Sequence, residues 1–103
     1  MASSIGVIGA GGWGIALTKL LADKGESVTL WCHGSETYRE ITDIRESRSY
    51  LPGIILPRTV ALTRALQEAV AGKQVIVCAV PSHVAQTVMS AAVTHVSTET
   101  MVL

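Results

Sequence analysis

Along the chain, short unbroken apolar runs alternate with longer stretches in which apolar residues recur at helical spacing. Ile5-Gly6-Val7-Ile8 is short and largely β-branched and is closed by Gly9, the pattern of a strand buried on both faces of a parallel sheet. Ala16, Leu17, Leu20 and Leu21 follow at one-face spacing with Lys19, Asp23 and Lys24 outside the stripe, and Gly25 stands where a helix ends. Ser27 to Cys32 reads as a second strand. Tyr38, Ile41 and Ile44 place a short helix between Ser35, its cap, and about Glu46, and Tyr50-Leu51-Pro52-Gly53 reads as a turn.

The second half repeats the alternation. Arg58 to Leu62 is expected as a third strand, Thr63 to Ala71 as a helix capped by Thr63 and ended by Gly72, and Gln74 to Val80 as a buried fourth strand stopped by Pro81. A helix capped by Ser82 then runs to about Val93 with Val84, Val88, Ala91 and Ala92 on one stripe, and Met101-Val102-Leu103 begins a fifth strand. Strands separated by helices pair in parallel through right-handed crossovers, so the fold class is α/β. No internal repeat or low-complexity segment interrupts it.

Chemistry concentrates at the first strand-to-helix junction. Gly9-Ala10-Gly11-Gly12-Trp13-Gly14 matches G-x-G-x-x-G between an expected strand and an expected helix, the context in which the motif reads as a dinucleotide-binding fingerprint. Gly9 permits the tight turn, Gly11 lets the backbone approach a pyrophosphate, and Gly14 allows the helix to pack closely on the strand. The phosphates would sit on free N–H groups at the helix start. Trp13 either flanks the pyrophosphate or packs under the loop. No Gly-Lys-Ser/Thr follows the glycines, which excludes a Walker A loop. The expectation is therefore a Rossmann-type doubly wound parallel sheet, incomplete within these residues.

The end of the second strand discriminates between the two nicotinamide dinucleotides. A carboxylate there would accept hydrogen bonds from the ribose 2′-OH of NAD, but the residues are Cys32-His33-Gly34-Ser35. A 2′-phosphate would meet His33 and the Ser35 hydroxyl rather than a repelling charge, which favours NADP over NAD. At the end of the fourth strand, Ala79-Val80-Pro81-Ser82-His83 lies at the carboxyl edge of the sheet, where Pro81 and Ser82 are expected to line the cofactor. His83 has no orienting carboxylate near it in sequence and reads as a solvent-facing helix-start residue, and His95 as a surface residue. Tyr50, Arg45 and Arg48 are within reach of phosphate groups in the connecting loop, where arginines are more often simply solvated.

Composition narrows the field of partners. The 103 residues are 49% hydrophobic and 16% charged, with eight basic and eight acidic side chains and a formal net charge of zero, so no basic field draws nucleic acid. Cys32 and Cys78 lack CxxC or Cys/His ligand spacing; both are expected as buried free thiols, and no metal site is expected. Neither the glycine-rich Met1 to Thr18 nor the stretch Gln74 to Thr98 has the make-up of a signal peptide or a membrane span.

GAGGWG with Ile15-Ala16-Leu17 after it, Val28-Thr29-Leu30-Trp31, Tyr50-Leu51-Pro52-Gly53, Leu56-Pro57 and Ala79-Val80-Pro81-Ser82 occur in an order and spacing that resemble the bacterial-type NAD(P)-dependent glycerol-3-phosphate dehydrogenases across the chain. The resemblance implies an oxidoreductase passing hydride reversibly between NAD(P)H and dihydroxyacetone phosphate, giving glycerol 3-phosphate for phospholipid synthesis in the cytoplasm, as a homodimer when full length. It makes Gly12, Trp13, His33 and Tyr50 cofactor contacts. It places the catalytic lysine in a Lys-Gly motif beyond Leu103, and a helical substrate domain after it, so residues 1–103 are expected to be the truncated amino-terminal domain and to supply cofactor binding without catalysis. His33 stands where the family usually has arginine, and Arg64-Ala65-Leu66 where it often has Asp-Leu, the second reading as a surface change. The competing readings are a dinucleotide-sensing regulatory module and another dehydrogenase with the same first domain, such as a ketopantoate reductase or a sugar-nucleotide dehydrogenase.

Overall fold

The computed structural model describes residues 3–96 and 100–103. Five parallel strands form one sheet in the order β3-β2-β1-β4-β5. They are β1 (Ser4–Ile8), β2 (Ser27–Trp31), β3 (Ala61–Thr63), β4 (Val75–Cys78) and β5 (Met101–Val102), and the helices are α1 (Gly12–Asp23), α2 (Ser35–Ile44), α3 (Leu66–Val70) and α4 (Ser82–Ala92). A single 3-10 turn, Val93–His95, extends α4. The chain winds outward from β1 to β3, returns across the sheet and continues to β5, which makes the junction between β1 and β4 the point where the direction reverses. Ligands of doubly wound sheets bind at the carboxyl edge of such a reversal.

Alternation along each strand divides the core into two layers. Ile5 and Val7 of β1 join Val28, Leu30, Ile15 of α1 and Ile41 of α2 in one apolar cluster, while Ile8 joins Trp31, Ile76, Ala69 and Val70 of α3 and Ala92 of α4 in the other. Val7, Ile8, Leu30 and Ile76 are fully buried, as expected of strands covered on both faces. β5 is the exception, with Met101 and Val102 exposed at one margin of the sheet.

Several local expectations shift. The stripe that α1 buries is Gly14, Ile15 and Thr18, with Leu21 and Ala22 packed against the core, whereas Leu20 and Ala16 face outward. α1 is apolar on most of its circumference, so periodicity left two stripes open and contact with β2 chose between them. The third strand lies later than Arg58 to Leu62, because Val60 closes a turn with Pro57 before pairing begins at Ala61. Thr63 ends that strand instead of capping α3; its hydroxyl accepts from the Ala65 amide at 2.9 Å and lies 3.0 Å from Glu68 Oε2, holding the turn into the helix. Ser35 and Ser82 are the first residues of their helices, preceded by Gly34 and Pro81, and neither makes a side-chain cap. Ala91 is exposed, while Ala92 is the buried residue of α4. Cys32 is buried and Cys78 half-buried, both as free thiols.

Candidate functional site

The glycine turn is shaped by two close approaches. Gly9 has φ +119, a conformation that favours glycine, and a Cβ on it would come within 3.0 Å of the Ala79 carbonyl. A Cβ on Gly14 would overlap the Gly9 carbonyl oxygen, so only glycine lets α1 start this close to the end of β1. Gly11, the residue before α1, has ordinary extended backbone and no atom within 4 Å of a Cβ position. No side chain caps the helix there. Its first N–H groups therefore open onto free space, and that space is the cradle a phosphate needs.

Hydrogen bonds beyond the strands fix the rest of the carboxyl edge. Gly9 N–H donates to the Trp31 carbonyl at 3.1 Å, Ala79 N–H to Ile8 at 2.8 Å, and Cys32 N–H to Thr63 at 2.9 Å. The loop between α2 and β3 folds back over this edge. Arg45 holds a left-handed conformation (φ 59) at the end of α2 and donates from Nη1 to the Val60 carbonyl at 2.8 Å. Buried Ser47 accepts the Tyr50 N–H on its hydroxyl, and Glu46 accepts the Gly53 N–H. These ties bring Tyr50 above the start of α1, where its carbonyl would be 3.1 Å from a Cβ on Gly12.

The result is a cavity of about 750 Å³ across the β1–β4 reversal. Its floor is Gly9, Ala10, Gly11 and Gly12, its walls include Trp13, Tyr50, Ala79, Val80 and Pro81, and its far end is Trp31, His33, Gly34 and Thr37. Trp13 is 65% exposed and lies in the wall, which removes the alternative that it packs under the loop. Seven of the residues singled out in sequence (Gly9, Gly11, Gly12, Trp13, His33, Tyr50 and Pro81) meet around this one space. Gly14 and Ser82 stand behind it at the helix starts, and neither His83, His95, Arg45 nor Arg48 lines it. The described residues contain no group of three or more His, Cys, Asp or Glu side chains able to hold a metal ion.

Electrostatics at the far end rest on Cys32 and Arg64. Burial pushes the Cys32 thiol from 9.0 up to about 11, against the opposing pull of the positive charge of Arg64. Arg64 follows β3 and reaches across to the loop after β2, donating from Nη2 to the His33 carbonyl at 3.3 Å. Its own carbonyl accepts from Trp31 Nε1 at 3.0 Å, and the Trp31 and His33 rings lie 5.3 Å apart. Sequence reasoning missed Arg64, because its closeness to His33 is a contact across 31 positions. The one signal available was the departure at Arg64-Ala65-Leu66, which the sequence alone read as a surface change.

A family model described as the NAD-dependent glycerol-3-phosphate dehydrogenase N-terminus matches residues 4–103. The chain belongs to this family. It is 47% identical over 90 residues to a glycerol-3-phosphate dehydrogenase (NAD(P)+) of Citrifermentans bemidjiense, covering 87% of this chain and 27% of that protein. With the corresponding enzyme of Desulfotalea psychrophila it shares 48% identity over 85 residues, or 82% of this chain and 25% of the other. The chain thus spans about a quarter of the length of these relatives. Among solved structures, a glycerol-3-phosphate dehydrogenase from Coxiella burnetii superposes with a TM-score of 0.91 at 30% identity over 98% of this chain and 31% of that one. A ketopantoate reductase from Ralstonia eutropha reaches 0.78 at 20% identity over 96% of this chain and 32% of its own, a likeness of fold alone. No helix among the described residues is long and apolar enough to cross a membrane.

Proposed function

We propose that this chain is the dinucleotide-binding part of an NAD(P)-dependent glycerol-3-phosphate dehydrogenase, a cytoplasmic enzyme and homodimer in full-length form that interconverts dihydroxyacetone phosphate and glycerol 3-phosphate for glycerophospholipid synthesis. The observation that carries the reading is the uncapped start of α1, open at Gly11, in the floor of a cavity at the sheet reversal. Backbone N–H groups from Gly11 to Trp13 hold the pyrophosphate. Gly9 and Gly14 keep the helix start within reach of it, Trp13 and Tyr50 close over it, and Pro81 forms the wall after β4, with Ser82 behind it at the start of α4. His33 faces the adenosine end, and Ser35 lies in the separate cleft that Arg64 lines.

When bound, the nicotinamide supplies or accepts the hydride. The chain's own part is to orient the dinucleotide along the edge and exclude water with an apolar wall. The lining contains no lysine, and the family resemblance assigns the proton donor to a lysine beyond Leu103.

Two titrations and one assay test this. The 103-residue chain is titrated calorimetrically with NADPH and NADH, and the full-length protein is assayed for oxidation of NADPH or NADH that depends on dihydroxyacetone phosphate. Saturable binding, with turnover confined to the full-length protein, is the expected result. A full-length protein that binds dinucleotide yet leaves dihydroxyacetone phosphate unreduced would return the assignment to a sensor or to another dehydrogenase. Failure of both proteins to bind either dinucleotide would overturn it altogether.

A further inference from the structure

We propose that Arg64 reads the 2′-position of the adenosine ribose and sets the preference for a 2′-phosphate, the role left open at the end of β2 by His33. The inference rests on the dinucleotide reading above and goes beyond it in assigning specificity to a residue from the neighbouring strand.

Three observations converge. First, the loop after β2 is where this fold meets the ribose 2′-group, and Cys32-His33-Gly34-Ser35 offers that group neither a carboxylate for NAD nor a fixed positive charge for NADP. Second, Arg64 is delivered to the same loop from the end of β3. Its exposed guanidinium donates one hydrogen bond to the His33 carbonyl, leaving most of its N–H fork free. Third, its position is fixed at both ends, because Trp31 Nε1 grips its carbonyl while the side chain grips the loop. Trp31, His33 and Gly34 line the far end of the dinucleotide cavity; Arg64 itself lines a separate cleft with Ser35, and its bond to His33 holds the charge beside that end.

The local charge balance leaves the guanidinium available. Among the described residues the only ion pair is Lys19–Asp23, far along the chain on α1, so neither Glu36 in the first turn of α2 nor Asp43 neutralises Arg64. Asp43 lines the same cleft as Arg64, together with Ser35 and Arg39, and forms no ion pair with either arginine. A phosphate monoester carries close to two negative charges and three acceptor oxygens, which suit a planar, permanently charged fork; a ribose hydroxyl carries no charge and gains little from it.

The test compares affinities for NADPH and NADH of the full chain, R64Q, R64K and H33A under identical conditions, at low and at high salt. The ratio of the two affinities is the readout, since loss of folded protein lowers both alike and cancels. For R64Q the NADPH affinity is expected to fall about 10- to 100-fold, as for loss of a hydrogen bond to a charged group, with the NADH affinity within about twofold of the parent. R64K is expected to recover part of the ratio through its charge, and added salt to weaken NADPH binding more than NADH binding in the parent. An unchanged ratio in R64Q, or a preference that collapses in H33A while surviving in R64Q, overturns the assignment of Arg64 and leaves the dinucleotide reading standing. A parent that binds neither dinucleotide overturns both.

Discussion

Gly11 and Gly14 lie three residues apart at the same turn, and replacing each by alanine should break different properties. At Gly14 the new Cβ would overlap the Gly9 carbonyl oxygen and lie 3.0 Å from its carbon and 3.4 Å from the Ala79 Cβ. Backbone rather than a flexible side chain is in the way, so α1 must move off the sheet. Alanine improves helix propensity by about 1 kcal/mol. Overpacking of this kind costs about 1 to 3 kcal/mol or more, and a backbone obstacle puts it at the upper end, so packing wins and G14A should lose about 1 to 2 kcal/mol net. For a domain of this size that corresponds to a fall in Tm of roughly 4 to 16 °C. At Gly11 no atom lies within 4 Å of the Cβ and φ is −78, so G11A should melt within about 0.5 kcal/mol of the parent. Its methyl group would instead stand in the space above the first N–H groups of α1, and dinucleotide affinity should fall at least about tenfold, the equivalent of 1.4 kcal/mol. Urea and thermal melts without ligand, followed by calorimetric titration with NADPH, separate the two effects. Full affinity in G11A would show that the pyrophosphate does not rest on the α1 start, and an unchanged melt in G14A would show that α1 and β1 are not packed as closely as described.

Thr18 is fully buried with its hydroxyl unpartnered, so T18V should raise stability by about 1 kcal/mol in chemical denaturation; a loss would mean that the hydroxyl has a partner, such as a buried water. Arg45 ties the end of α2 to the approach to β3 through its bonds to the Val60 and Pro57 carbonyls, and R45M should lower the urea midpoint by the equivalent of about 1 to 3 kcal/mol with the slope unchanged. An unshifted midpoint would remove that anchor from the account of how Tyr50 is positioned. The thiol of Cys32 keeps its proton to about pH 11 when folded but gives it up near pH 9.0 when unfolded, so its contribution is complete below pH 9 and is lost as the pH rises toward 11. The parent should therefore lose more stability than C32A between those pH values, and equal slopes would refute the burial argument.

The order of elements, their α/β class and the glycine turn were legible in sequence because each is a local matter. Apolar runs of four or five residues, helical spacing and three glycines at fixed offsets act through neighbours along the chain. The same locality explains why Gly9, Gly11, Trp13 and Pro81 could be named before any fold was known: each lies in or beside a strand-to-helix junction, and such junctions are marked by the residues that stop the strand and start the helix. Sequence also recorded the absence of a carboxylate after β2, and with it the open question at the adenosine end.

Only the tertiary structure decided relations through space. α1 buries Ile15 and Thr18 rather than Leu20 because the sheet, not the helix, selects a face of a segment that is apolar nearly all round. Strand order placed β4 beside β1 and so brought Pro81 to the glycine turn from 70 positions away in the chain, a pairing set by hydrogen bonds between backbones whose side chains look alike. Tyr50 came to the helix start through a loop held by Arg45 and Ser47, and Arg64 came to His33 because β3 lies against β2. A chain-local pattern carries no information on such contacts, since their energy is gained only after distant segments have been brought together.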